Sequence, residues 1–157
     1  MGDGEPMSQR LTIEIPIRAV PGSNTKRGFV NPKTGRVIIA DKAKGKHGYT
    51  AALRMFAEQT ANDAGWKITR NPVMLVIDFY FTRPIGHFGT GRNAGSVKAS
   101  APKHVAVKPD LTNLVKSTED ALKGIVWHDD SQVVGMQLAK VYGEKELVRI
   151  QVAELEG

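Results

Sequence analysis

The 157-residue sequence contains no cysteine. That excludes disulfide staples, thiolate zinc sites and cysteine nucleophiles, and it fits a reducing compartment. Long apolar runs are missing as well. No stretch approaches the roughly 20 residues of a membrane span, and the polar start from Met1 to Arg10 has no signal-peptide core. The expectation is a soluble, cytoplasmic protein with no membrane partner and no nucleotide cofactor. The four histidines, at 47, 87, 104 and 128, are too scattered for a zinc site.

Acidic residues are absent from particular regions. Between Arg18 and Lys46 eight Lys or Arg residues face the single Asp41, and Arg83 to Pro109 holds five with no acid at all. From Asp110 onward acids outnumber bases nine to five, within a net charge of +6. A basic front and an acidic back suit a protein that grips a polyanion with one part and holds a cation with another. The plain alternative is a basic surface that serves solubility.

A chain of this length fits one domain with a core that needs no staples. The expected division is a flexible tail over residues 1–10 and a single domain over 11–157. Leu11, Ile13, Ile15 and Ile17 alternate with polar residues and read as a half-buried strand, which Pro21-Gly22-Ser23-Asn24 breaks. Residues 26–40 read as a hairpin with basic residues at its rim, and Lys26, Arg27, Lys33 and Arg36 are candidate phosphate contacts. A helix from about Gly48 to Ala64 shows Tyr49, Leu53, Phe56, Thr60 and Ala64 along one face, and Trp66 and Ile68 are expected to close the core at its end.

Val73 to Thr82 is the most apolar stretch and reads as a central strand covered on both faces. Asp78 stands out within it, because a buried carboxylate needs a partner or a metal. The segment 83–109 is rich in Gly, Ser and Lys and long for a connection, so it reads as a mobile basic arm. Its Arg83, Arg92, Lys98, Lys103 and Lys108 are candidate DNA contacts. Val133 to Tyr142 and Glu146 to Leu155 read as a hairpin with one buried face. Together these elements predict an α+β domain, a small mixed sheet carrying two helices.

The stretch from Lys108 to Val133, KPDLTNLVKSTEDALKGIVWHDDSQV, organises the rest. Leu111, Leu114, Val115, Thr118 and Leu122 have the spacing of one buried helical face. Asp110 is a good N-cap and Gly124 a left-handed stop, so a helix of roughly three turns begins beside Asp110. Asp129 and Asp130 return to that starting end only if residues 124–128 run back along the helix. Two readings stand at this point. Either Asp110 caps a helix and the aspartate pair makes a turn, or the carboxylates converge on a hard divalent cation that activates water against a phosphodiester. Lys116, one turn beyond Thr112 and Asn113, would then stabilise charge developing on the phosphate.

The order KPDLTNLVKSTEDAL followed by W-x-DD-x-QVV resembles the signature of RusA-type Holliday junction resolvases, and the opening strand with Pro21-Gly22-Ser23-Asn24 is similar to that family's start. The likeness extends over about residues 11–153. It implies a homodimer that cuts four-way or branched DNA with Mg2+, for which Mn2+ substitutes. It further implies metal-binding aspartates at Asp110 and Asp130 with help from Asp129, a catalytic Lys116, and supporting roles for Asn113, Thr112 and Asp78. One departure matters: the family's second aspartate corresponds to Thr112, whose hydroxyl is a far poorer magnesium ligand. Compensation by Asp129 or Asp78, a natural variant with fewer ligands, and a protein that binds junctions without cutting them all remain open.

Overall fold

The computed structural model describes residues 8–22, 26–30, 37–41 and 46–157. Lys33 and Arg36, most of the tail, and the side chains of Lys26 and Arg27 therefore lie outside the described part.

Strands β1 (Arg10–Ile15), β4 (Val73–Phe81), β5 (Val133–Tyr142) and β6 (Leu147–Glu154) form one mixed sheet in the order β1-β6-β4-β5. β5 runs parallel to β4, and β6 pairs antiparallel with both β1 and β4. β2 (Lys26–Val30) and β3 (Val37–Asp41) make the expected hairpin as a separate antiparallel ribbon. Helices α1 (Lys46–Ala64) and α2 (Leu111–Leu122) share a single core with one face of the sheet. This is an α+β fold, as expected.

The core follows from period-two patterning. Leu11, Ile13 and Ile15 of β1, Val73, Leu75, Ile77 and Phe79 of β4, and Val148, Ile150 and Val152 of β6 all point to the helices and are buried. The other face of β4 is half exposed. This corrects the expectation of a strand covered on both sides: the helices occupy one face only. On α1 the buried stripe is Tyr49, Leu53, Ala57 and Ala61, rotated slightly from the predicted one, and the core closes with Trp66 while Ile68 faces outward.

A second correction concerns the C-terminal strands. β5 and β6 are not a hairpin, because β4 lies between them. Residues 143–146 cross the end of β4, where Gly143 N donates to the Phe81 carbonyl at 2.9 Å. A Cβ on Gly143 would stand 3.1 Å from the Tyr80 ring, so the crossing is tight. Alternation shows which face of a strand is buried but not which strand is its neighbour.

Candidate functional site

α2 fixes the site, and other elements fix α2. Its buried side carries Leu114, Val115, Ser117, Thr118, Ala121 and Leu122, leaving Thr112, Lys116 and Asp120 as an exposed stripe. The buried hydroxyls of α2 itself are partnered: Thr118 Oγ1 donates to the Leu114 carbonyl, and the Tyr49 hydroxyl of α1 lies 2.9 Å from Thr118 Oγ1. Burial pushes the Tyr49 phenol up to about 12, against the lowering effect of that bond. Ser117 Oγ donates to the Val20 carbonyl at 2.7 Å and Gly22 N donates to the Asn113 carbonyl at 3.0 Å. These two bonds hold the segment after β1 against the first half of α2.

That contact builds a cleft of about 420 Å³ at the N-terminus of α2, walled by Arg18, Val20, Pro21, Lys108, Asp110 and Asn113. Asp110 occupies the N-cap position with extended backbone, and its carbonyl accepts from Asn113 N and Leu114 N. Its carboxylate makes no capping hydrogen bond. The acid at the head of the cleft is thus not engaged in helix capping. Lys140 of β5 steadies the preceding turn, since its Nζ donates to the carbonyls of Val107 (2.7 Å) and Pro109 (3.0 Å). Arg18 and Lys140 went unseen in the sequence. Only β5 running back along α2 brings Lys140 to this end.

The far end of α2 is different. Gly124, at φ +83°, turns the chain, Gly124 N donates to the Trp127 carbonyl, and Ile125 N and Val126 N donate to the Leu122 carbonyl. Arg54 of α1 donates to the Ala121 and Lys123 carbonyls and Trp66 Nε1 to that of Val126. A cation at a helix C-terminus complements the dipole, so the turn is locked there. Residues 124–128 do not run back along the helix.

Asp129 and Asp130 are consequently placed at this far end. Asp129 Oδ1 accepts from Ser131 N at 2.9 Å, and Gln132 Oε1 accepts from Asp129 N at 2.8 Å, a capping box for the short helical turn before β5. The bonds from Ser131, with the nearby Lys123, hold the Asp129 carboxyl below its ordinary range. Gln132 also bonds His128 N and the carbonyls of Thr69 and Asn71, so it ties the turn to the α1–β4 connection. The D-x-x-Q spacing carries this capping role in the sequence itself. Asp130 is half buried, and its Oδ1 accepts from the Trp127 indole at 2.9 Å.

Glu119, which the sequence did not single out, lies beside Asp130. Burial pushes its carboxyl above the usual range, and the charges of Asp130 and Asp120 add to the shift. Asp78 is on the sheet face away from α2, with Arg149 of β6 as its register neighbour. Among the described residues no three His, Asp or Glu side chains are grouped closely enough to hold a metal ion. Glu119, beside Asp130, comes nine residues after Asp110, about 14 Å of helix rise. Asp110 and Asp130 thus stand towards opposite ends of α2.

Between β4 and α2 the basic arm is held by its own bonds. Phe88 bridges Val97, Lys98 N donates to the His87 carbonyl, and Arg83 Nη1 donates to the Pro102 carbonyl at 2.7 Å. Arg92, Lys98 and Lys103 are exposed on it, and Lys108 reaches the cleft.

An α+β sheet with a carboxylate at a helix start, between a basic cleft and a basic arm, is the outline of a DNA-processing enzyme. The chain matches the family of the endodeoxyribonuclease RusA over residues 16–153, nearly its whole length, and belongs to that family. Membership implies an endodeoxyribonuclease that acts on DNA junctions and depends on a divalent metal. The chain is also 29% identical over 126 residues to the uncharacterized protein YqaN of Bacillus subtilis (strain 168), covering 78% of this chain and 83% of that protein. Among the described residues no helix is long and apolar enough to cross a membrane.

Proposed function

We propose that the protein is a magnesium-dependent endonuclease that resolves four-way (Holliday) DNA junctions by paired phosphodiester cuts, acting as a homodimer. The observation that carries this reading is the Asp110 carboxylate, not engaged in capping, at the head of a cleft walled by Arg18 and Lys108 in a chain of this family.

The separation of the acids supports a homodimer. Asp110 stands at one end of α2, and Asp130 with Glu119 at the other. If a two-fold axis lays α2 antiparallel to its copy, Asp110 of each chain meets Asp130 of the other, giving two equivalent sites. The exposed stripe of α2 suits that face, and so do Val134 and Met136 on edge strand β5, which are 61% and 37% exposed. A bound Mg2+ or Mn2+ would supply an activated water and neutralise phosphate charge. In each site Asp110 and Asp130 would hold the ion, and Lys116 would face the developing charge on the phosphate. Asn113 would hold the segment carrying Arg18. Asp129 would shape the turn that presents Asp130, and Asp78 takes no part. Arg18, Lys108 and the arm would track the DNA backbone, reading shape more than sequence.

Thr112 favours a second reading, a junction-binding protein with weakened or lost cleavage. Incubation of a labelled four-way junction with Mg2+ or Mn2+, against a chelator control, separates the two. Metal-dependent paired cuts that vanish in Asp110→Asn, with binding retained, support the resolvase. Tight binding without cutting supports the alternative, and strong residual cutting by Asp110→Asn removes Asp110 from the site.

A further inference from the structure

Three cavities share walls along one side of the molecule. The cleft at Asp110 shares Arg18 and Lys108 with a cavity of about 290 Å³, and that cavity shares Arg83 and Tyr142 with a third of about 530 Å³ beneath the arm. The shared walls set the three cavities in series, from the cleft at Asp110 past Arg18 (paired with Glu146 at 3.5 Å), Lys108 and Arg83 to a distal pocket.

The distal pocket differs in chemistry from the rest. Phe88 and Val97 come from the arm, and Tyr142 and Glu144 from the end of β5 and the turn after it. The Arg83 guanidinium lies over the Tyr142 ring, 4.4 Å from its centroid, and the His87 ring packs edge-on to the same tyrosine at 5.3 Å. With Nη1 bonded to the Pro102 carbonyl, Arg83 is pinned as a flat platform. Aromatic rings and guanidinium planes are the surfaces on which unpaired nucleobases stack. Glu144 at the wall repels a phosphate but accepts hydrogen bonds from a base edge. The volume lies within the range of small-ligand pockets.

We propose that the pocket of Phe88, Arg83 and Tyr142 takes an unpaired base from the strand whose backbone runs along these cavities to Asp110. This rests on the endonuclease reading and adds to it a base-binding subsite away from the cut. A branched junction supplies such a base where pairing is interrupted, and seating it would fix the strand's register at the site.

The test uses the full-length protein with Phe88→Trp. The native Trp66 and Trp127 are buried in the core at 8% and 0% exposure, so the new indole reports the pocket. Titration with a short single-stranded oligodeoxynucleotide should quench its emission, whereas an abasic strand of the same length should quench it little. Phe88→Ala should weaken binding of the base-bearing strand roughly 5- to 150-fold, the effect of losing one base–aromatic stack. Phe88→Tyr should restore it, and affinity for the abasic strand should not move. Equal quenching by both strands, or no response to either, overturns the proposal. Junction cleavage by the wild-type protein, measured in parallel, tests the endonuclease reading separately.

Discussion

Trp127 and Asp130 are joined by a 2.9 Å hydrogen bond from the indole Nε1 to the carboxylate Oδ1. The tryptophan is wholly buried and the aspartate only half, so the bond orients an acid from inside the core. Partners of this kind decide where a ligand or catalytic carboxylate points. Their loss typically costs about 10- to 100-fold in metal affinity or activity.

Trp127→Phe keeps an aromatic ring in the core and removes only the donor and some volume. Junction cleavage should fall by roughly 10-fold or more while junction affinity stays near wild type, and stability should drop by about 1–3 kcal/mol. Gel assays of cutting and binding, alongside a denaturant melt, check this. Unchanged cleavage would show that the orientation of Asp130 does not matter.

Tyr49 makes stability depend on alkaline pH. Below its unfolded value of 10.0 the phenol is neutral in both states. Between there and about 12 the unfolded chain ionises while the buried group does not, so stability is lost as pH rises through that window. The two-unit difference corresponds to about 2–3 kcal/mol at most. Tyr49→Phe should cost about 1 kcal/mol at neutral pH through removal of the bond to Thr118, yet show a shallower decline above about pH 10. Denaturant midpoints for both proteins across that range measure the difference.

Lys98, Lys103 and Lys108 lie on or at the end of the arm, exposed and without an acidic neighbour in sequence from Arg83 to Pro109. Replacing all three with Ala should weaken DNA binding and reduce the slope of log affinity against log salt by about 0.9 for each phosphate that is no longer neutralised. Binding isotherms at several salt concentrations give the slope. An unchanged slope would mean that the arm does not follow the backbone.

The fold was legible where local chemistry is decisive. The apolar spacing from Leu111 to Leu122 and the stop at Gly124 match α2 and its positive-φ turn. Alternation found the inward face of β1 and β6. The position of β4 between β5 and β6 was not legible, because neighbour choice is a non-local property of the sheet. At the site, Asp110 could be identified from its place before a helix, but its lack of a capping bond could not. The capping role of Asp129 was written in its spacing to Gln132 and was outweighed by the Asp-Asp pair. Glu119 was hidden because its half-burial beside Asp130 arises only when the 124–130 turn packs against α2.

Mixing two inactive variants tests whether the acids meet between chains. Asp110→Asn and Asp130→Asn should each be inactive as homodimers and should change stability little, since neither substitution alters side-chain volume appreciably. In a mixed dimer with shared sites, one site combines both substitutions, and the other combines the intact Asp110 of one chain with the intact Asp130 of its partner. That dimer should cut a single strand, so the mixture should nick a labelled junction without resolving it. If each chain held its own complete site, every site in the mixture would carry one substitution and no nicking would appear. Single-strand nicking on a denaturing gel, in the mixture and in neither variant alone, is the expected result. Its absence, with mixed dimers demonstrated by tagged co-purification, would rule out the antiparallel pairing of α2.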